Sequence, residues 1–189
     1  MPNQKTGIVP NKKWKKEKIG ESWYAGETLI SAIGQGFVLT NPFQLVVMTS
    51  IIASDGKMIE PTIIKGNRVS FKTNEKYSKE IKIIKKAMFQ VVNENKGTAF
   101  KSRLEDIKFA GKTGTSQVRR ISLSERESDD FREKEQEWKN RDHALFVGYM
   151  PYDDPKYSIS VIIEHGGSGA STAAPIAKQI FNYINELEV

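Results

Sequence analysis

The sequence predicts an α+β fold in which an antiparallel sheet is flanked by helices. Residues 143–150 and 157–164 are apolar runs of strand length, and a short connection from Pro151 to Lys156 joins them. Such a pair favours an antiparallel hairpin. A third strand is predicted from about Ala110, where threonines recur. The helical patterns occur in other parts of the chain, which is typical of a sheet packed by helices.

The first predicted helix covers residues 42–53 and belongs in a core. Thr40 or Asn41 is a suitable N-cap, and Pro42 fits the first turn, where its missing N–H costs nothing. Apolar residues occur on almost every side of this helix, which is typical of a buried one. Asp55-Gly56 is a turn signal that ends the helix.

Two further helices are predicted to be amphipathic. Residues 78–94 carry apolar side chains on one side and lysines on the other, and residues 172–187 repeat an apolar stripe after a glycine-rich turn. A short extended run at residues 58–64 is predicted between the first helix and the second. Each of the two helices therefore has one face suited to burial.

Two polar segments are expected within what the sequence predicts to be one domain, residues 1–189. Residues 1–27 are polar and interrupted by glycine and proline, and they predict loop with little regular structure. The lysine-rich run at residues 12–18 lies there and is interpreted as a solvated stretch. Residues 119–142 carry fifteen charged side chains of both signs and no glycine, which predicts an exposed insertion between strands.

Composition excludes several classes of function. The chain has no cysteine and only two histidines, which excludes disulfides and thiolate-bound metals and disfavours a histidine-based zinc site. No metal or organic cofactor is expected. No apolar run reaches the roughly eighteen residues of a membrane-spanning helix, and no apolar stretch typical of a signal peptide follows residues 1–5. The net charge of +6 is spread along the chain and does not indicate a partner by itself.

Gly111-Lys112-Thr113 matches the end of a phosphate-binding loop, but that interpretation fails. The full motif requires a glycine five positions before Gly111, and Asp106 stands there instead. A carboxylate at that position would repel phosphates. The pattern also predicts a strand after the lysine, where the loop motif requires a helix. Nucleotide binding is therefore rejected.

As a Lys-Thr-Gly motif on a strand, the same residues suit an acyl-transfer site. Lys112 supplies a fixed positive charge for a substrate carboxylate and for proton-shuttling groups. Gly114 has no side chain, so a ligand or another backbone can approach it closely. Thr113 and Thr115 point to one face because side chains alternate along a strand, and both hydroxyls can meet a carboxylate. A second copy, Lys5-Thr6-Gly7, lies in the polar segment and is treated as a chance occurrence.

Further motifs surround this strand in a specific order. They are Trp23-Tyr24-Ala25-Gly26-Glu27-Thr28, Ile33-Gly34-Gln35-Gly36 with Thr40-Asn41-Pro42-Phe43-Gln44-Leu45, Gly97-Thr98-Ala99, Ala110 to Val118, Arg141-Asp142-His143-Ala144-Leu145-Phe146, and Glu164-His165-Gly166-Gly167-Ser168-Gly169. In this order the chain resembles the C-terminal part of the transpeptidase domain of class B penicillin-binding proteins. The resemblance is greatest to the elongation-type family of penicillin-binding protein 2.

This resemblance implies part of the serine β-lactamase/D,D-transpeptidase fold, and a serine acyltransferase that cross-links peptidoglycan and is acylated by β-lactams. It implies that Lys112 helps to activate and orient the nucleophilic serine, and that the Thr115 N–H is one arm of an oxyanion hole. The strand is expected to pair with the stem peptide. The substrate-binding residues that it implies are Thr113, Gly114, Thr115, Ser116 and Gln117.

The family's nucleophile lies in a Ser-x-x-Lys motif that, like its Ser-x-Asn motif, normally precedes this region. The one Ser-x-x-Lys here starts at Ser54 and passes through a turn, so Lys57 cannot lie one helical turn beyond Ser54. Tyr183-Ile184-Asn185 resembles a variant of the second motif, but it lies in the last predicted helix. We therefore expect the nucleophile serine to lie outside this chain, which alone should be inactive.

The two histidines have less definite expectations. His143 begins a predicted strand beside Arg141 and Asp142, and both a polar strand-end role and a role at the edge of the cleft stay open. His165 precedes the glycine-rich turn and is interpreted as a turn histidine whose polar atoms are satisfied. Neither is needed as a base, because the resemblance implies that lysine transfers the proton.

The resemblance also implies partners and a location. The partners are a peptidoglycan stem peptide ending in D-Ala-D-Ala, β-lactam antibiotics and a glycosyltransferase of the elongation machinery, with no nucleic acid. The location is the periplasmic face of the bacterial inner membrane, with the anchor outside this chain. Two alternatives stay open. One is a catalytically inactive sensor or scaffold domain of this fold, and the other is a D,D-carboxypeptidase or β-lactamase relative that uses water as acceptor.

Overall fold

The computed structural model of the chain describes residues 5–64, 71–73, 75–118 and 137–188. The chain forms two compact units, Met1–Gln44 and Leu45–Val189. The second unit contains the main sheet and the strand that carries the candidate site.

The first unit contains two short helices, of which one lies wholly and one begins within the segment where the sequence predicts loop. Helix α1, Lys12–Lys18, begins where the Asn11 side chain accepts a 2.9 Å hydrogen bond from the Trp14 N–H, which satisfies a donor of the first turn. Helix α2 covers Ala25–Ala32. The prediction of loop with little regular structure over residues 1–27 is therefore wrong. The polar composition of the segment predicts loop, although Asn11 within it is an effective helix cap.

One lysine of the basic run is buried, which corrects its interpretation as a solvated stretch. Lys15 is 1% exposed, and its Nζ lies 2.7 Å from the Glu27 carboxylate and 3.4 Å from that of Glu21. Loss of hydration alone lowers the Lys15 pKa, but hydrogen bonds to the two carboxylates outweigh it and raise the pKa above its usual value. A buried charge is tolerated only with such partners.

Helix α3, Pro42–Ala53, confirms the first predicted helix. The Asn41 side-chain oxygen accepts a 2.8 Å hydrogen bond from the Gln44 N–H, so Asn41 supplies the cap. The helix ends before Asp55 and Gly56, whose φ angles of 57° and 88° reverse the chain direction.

A two-stranded antiparallel ribbon follows. Strand β1, Lys57–Ile59, overlaps only the start of the extended run predicted at residues 58–64. It pairs with β2, Phe71–Thr73, for which the sequence predicts no counterpart. Helix α4, Ser78–Asn93, confirms the second predicted helix and buries Met88 and Val92.

The main sheet has three antiparallel strands in the order β3-β4-β5. Strand β3 covers Ala110–Ser116, β4 covers His143–Met150 and β5 covers Tyr157–Ile163. The predicted hairpin is confirmed, and β3 forms one edge of the sheet as far as the described strands show. Of the predicted insertion at 119–142, residues 119–136 lie outside the described residues, and Trp138–Asn140 forms a single 3₁₀ turn.

The core lies between this sheet and the last helix, α5, Ala174–Glu188. Phe109 lies 5.2 Å from the ring of Phe181 and 6.4 Å from that of Phe146, measured between centroids. A π-helical turn, Gly169–Ala173, precedes α5, so the helical backbone begins earlier than the predicted residue 172. The predicted α+β class, an antiparallel sheet flanked by helices, is confirmed.

The π-helical turn lies directly against the backbone of the sheet. A Cβ atom built on Gly169 would lie 2.3 Å from the Gly114 carbonyl oxygen, 2.4 Å from that of Leu145 and 2.9 Å from the Gly114 nitrogen. Side-chain carbons do not approach backbone atoms so closely. Glycine is therefore required at 169 for the turn to pack against β3 and β4.

We predict that Gly169→Ala destabilises the protein by about 1–3 kcal/mol, because the added methyl group must push the turn away from two strands. Denaturant unfolding of the intact protein measures the change. Gly26→Ala is the matched control, since nothing lies within 4 Å of its added Cβ and the residue belongs to α2. The control should be neutral or slightly stabilising. Equal midpoints for the two variants would contradict the packing argument.

Candidate active site

Strand β3 carries all but one of the residues that the sequence predicts for the site, and Gln117 follows its last residue. Their exposure varies from residue to residue along the strand. Lys112 and Thr115 are exposed, Gly114 and Ser116 are half-buried, and Thr113 is buried at 9% exposure. The structure therefore brings together on one edge strand a cation, an exposed hydroxyl and a glycine.

The Lys112 ammonium lies close to its own strand. Its Nζ donates a hydrogen bond to the Thr113 carbonyl oxygen. The contact folds the long side chain back along β3 and keeps the positive charge beside the Lys-Thr-Gly backbone. A charge in that position can attract a carboxylate that binds along the strand.

The Thr113 hydroxyl has a partner inside the protein. It lies 2.8 Å from the hydroxyl of Thr98, in the segment that follows α4. The Asn93 side-chain amide donates to the carbonyl oxygens of Phe89 and Phe109, both at 2.9 Å, and so joins the end of α4 to the residue before β3. Thr113 and Thr115 thus share a face of the strand but differ in exposure, and Thr115 is the more accessible of the two.

The end of β3 is held by the segment before β4. The Val118 N–H donates to the Asp142 carboxylate at 3.3 Å, and the Asp142 carbonyl accepts from the Gly167 N–H at 2.8 Å. Asp142 therefore links the end of the candidate strand to the glycine-rich turn after β5.

His165 matches its prediction as a satisfied turn histidine. It has a φ of 55°, in the left-handed region that residues with a side chain rarely adopt. Its N–H donates to the Nδ1 atom of His143 at 2.9 Å, and its own Nδ1 lies 3.1 Å from the Arg141 carbonyl oxygen. His143 begins β4 as predicted and lies opposite Ser116 in the register.

The two other motif matches have the structural surroundings that the sequence predicts. The Ser54 hydroxyl donates to the Ser50 carbonyl at 2.8 Å, just after α3, and Lys57 begins a strand. Tyr183 is 62% exposed within α5. Neither place provides a serine and a lysine on one helical face.

The described part of the chain contains neither a candidate metal site nor a candidate membrane-spanning helix. No cluster of three or more histidine, cysteine, aspartate or glutamate residues there could hold a metal ion. None of the helices in the described ranges combines the length and the apolar character needed to cross a bilayer.

Comparison with known proteins assigns the family. The family described as "Penicillin binding protein transpeptidase domain" matches residues 1–182. The chain belongs to this family of transpeptidase domains. Its candidate strand, its three-stranded antiparallel sheet and its flanking helices agree with that assignment.

Individual relatives include proteins named as peptidoglycan D,D-transpeptidases. The chain is 32% identical to the peptidoglycan D,D-transpeptidase MrdA of Haemophilus influenzae over 93% of this chain, and 33% identical to that of Acinetobacter baumannii over 97%. It also resembles penicillin-binding protein 2 of Helicobacter pylori, solved in complex with MreC, with a TM-score of 0.82 and 34% identity over 98% of this chain. The chain spans only 28% of each MrdA protein and 32% of the H. pylori chain.

Sequence reasoning missed the supports of the site. Thr98 and Gly169 were noticed only as motif residues, and the bond between His143 and His165 was not predicted. Each support joins residues that are far apart in the sequence, so no local pattern marks it. The motifs that contain them were the only available signal.

We predict that Thr98→Val destabilises the protein more than Thr113→Val does. The first change leaves the buried Thr113 hydroxyl unpaired, at a cost of about 1–2 kcal/mol. The second change removes the partner of the Thr98 hydroxyl, but Thr98 is exposed and its hydroxyl can bond to water instead. The double variant should match Thr113→Val. Denaturant unfolding of the four proteins measures these differences, and equal costs for the two single variants would count against the pairing.

Proposed function

We propose that the protein is a peptidoglycan D,D-transpeptidase that cross-links the cell wall by serine acyl transfer, in cell elongation and the maintenance of cell shape. The observation that supports this most directly is the exposed edge of β3, where Lys112, Gly114 and Thr115 lie together. An edge strand can add an extended peptide as a further strand. A stem peptide ending in D-Ala-D-Ala has the extended backbone and terminal carboxylate that suit this edge.

Each residue has a role in this proposal. The Lys112 ammonium orients the groups that activate the serine and attracts the substrate carboxylate. The Thr115 N–H stabilises the oxyanion of the tetrahedral intermediate. The Thr115 hydroxyl binds the carboxylate of the stem peptide or of a β-lactam. Thr113 contributes to that binding while its hydroxyl contacts Thr98. Ser116 and Gln117 continue the peptide-binding strand.

The proposal places the nucleophilic serine outside these 189 residues. Ser54, in the one Ser-x-x-Lys sequence, is bonded to the end of α3 and is followed by a turn. The chain matches only 28% of the length of its MrdA relatives, so most of such a protein has no counterpart here. In this proposal the chain supplies strand β3, which carries Lys112 and lines one side of the site. The acyl-enzyme bond forms on a segment outside these 189 residues.

The partners and the location follow from the same proposal. The H. pylori relative was solved with MreC, which supports a place in a multiprotein assembly. In this proposal the assembly is that of elongation and includes a glycosyltransferase that makes the glycan strands. Cross-linking requires such strands as substrate. We place the reaction at the periplasmic face of the inner membrane, with the anchor outside this chain.

We predict that Lys112→Ala lowers the rate at which fluorescent penicillin acylates the full-length gene product by at least about a hundredfold, because the serine loses its electrostatic activation. Labelling followed over time on gels gives the rate. Lys101→Ala is the matched control, since Lys101 is also exposed but lies in a 3₁₀ turn away from β3. The Lys101 variant should react like the wild type. Normal labelling of the Lys112 variant would contradict the assigned role.

We also predict that Ser54→Ala leaves this labelling unchanged and that the isolated 189-residue chain is not labelled. Covalent labelling of the isolated chain, lost on Ser54→Ala, would overturn the placement of the nucleophile.

A stem-peptide donor and an amine acceptor separate the remaining functions. Formation of a new amide supports transpeptidation, whereas hydrolysis alone favours a carboxypeptidase. Binding of penicillin without turnover of peptide favours a sensor or scaffold.

A further inference from the structure

Two histidines meet at the end of the candidate strand and have no role in the proposed chemistry. His143 begins β4 opposite Ser116, the last residue of β3. His165 lies in the turn after β5. Their ring centroids are 4.8 Å apart, and the centroid of the Trp138 ring lies 4.5 Å from that of His165.

The hydrogen bonds of this pair fix the protonation of each ring. The His165 backbone N–H can only donate, so the Nδ1 atom of His143, 2.9 Å away, must accept and carries no proton. The His143 tautomer that can accept this bond carries its ring proton on Nε2. The Arg141 carbonyl can only accept, so the Nδ1 atom of His165, 3.1 Å away, carries a proton.

The same contacts hold a backbone that is unfavourable by itself. His165 has a φ of 55°, which a residue with a Cβ atom adopts only when its surroundings impose it. The bond to His143 Nδ1 and the bond to the Arg141 carbonyl supply that constraint. The Nδ1 atom of His143 is thus a fixed hydrogen-bond acceptor that helps to hold the backbone conformation of the turn.

Two sets of contacts connect this turn to the candidate site. Gly167 donates to the Asp142 carbonyl, and the Asp142 carboxylate accepts from the Val118 N–H, just beyond β3. Gly169, two residues after Gly167, lies against the backbone of Gly114. A shift of the turn would therefore move both the middle and the end of the peptide-binding strand.

We propose that His143 is a positioning residue that acts through Nδ1: it fixes the turn at residues 164–167 and thereby orders the strand from Gly114 to Val118 for substrate. The proposal rests on the proposed function, because it assigns His143 to the same acylation site. His143 neither transfers a proton to substrate nor contacts the reacting atoms. It acts through the His165 N–H.

Two variants of His143 separate this role from a direct one. In His143→Asn the side-chain oxygen occupies the place of Nδ1 and can accept from the His165 N–H. In His143→Gln the amide reaches the place of Nε2 and leaves the His165 N–H without its acceptor. The second-order rate of acylation by fluorescent penicillin is measured for both variants of the full-length gene product, together with the label bound at completion.

We expect His143→Asn to react within about twofold of the wild type, and His143→Gln to react about fivefold to tenfold more slowly, the effect of one lost hydrogen bond. The label bound at completion should be equal, since misfolding would lower this end point and positioning lowers only the rate. Retained rate in the Gln variant with loss in the Asn variant would assign the role to Nε2 and overturn the proposal. Equal rates in both variants would overturn it too.

A measurement on the unmodified protein tests the contact independently of activity. Nitrogen NMR of ¹⁵N-histidine-labelled protein, with the His143 signal assigned by its absence in His143→Asn, should show an unprotonated Nδ1 and a protonated Nε2. A proton on Nδ1 would overturn the proposal even if the variants fold poorly. Failure of the wild type to react with penicillin would instead contradict the proposed function, and the NMR result would stand apart from it.

Discussion

The close approach of Gly169 to the backbone of Gly114 and Leu145 is the contact on which the arrangement of the second unit depends. It places the start of the last helical segment directly on the sheet, with no side chain between them. The residues that follow are small where they meet the sheet, since Ala173, Ala174 and Ala177 are all fully buried. Helix α5 can therefore lie close to β4 and β5, and Phe181 fills the remaining space beside Phe109.

This backing explains how an edge strand can be both exposed and well defined. Edge strands have few partners and tend to be the less constrained part of a sheet. Strand β3 has β4 along one edge, the π-helical turn against Gly114, and the hydroxyl of Thr98 on Thr113. Asp142 holds the residue beyond its end. The exposed residues Lys112 and Thr115 therefore lie on a strand whose position is set by its neighbours, which is the condition for electrostatic preorganisation.

Local patterns predicted the elements that are defined by local physics. Helices α3 and α4 have continuous apolar periodicity, and β4 and β5 are apolar runs joined by a short connection, so each was predicted within a residue or two. Helix α1 was missed because its start depends on one side chain, Asn11, within a polar segment. The sequence does not predict strand β2, because its pairing with β1 joins residues that are far apart in the chain. A strand of three residues is also too short to show a recognisable sequence pattern. The Lys-Thr-Gly motif is visible in the sequence, but the contacts that support its strand are long-range and therefore leave no local pattern.

The residues that support strand β3 share one property. Thr98, Asp142 and Gly169 all belong to the unit Leu45–Val189, as does β3 itself. The chemistry of serine acyl transfer has two separable requirements, a nucleophile and an environment that stabilises the charge formed when it reacts. In the proposed function, the glycines, hydrogen bonds and packed helix around β3 serve the second requirement. The positions of Lys112 and of the Thr115 N–H are determined by residues of the same unit, so under that proposal the segment that bears the serine meets a surface whose geometry is already defined.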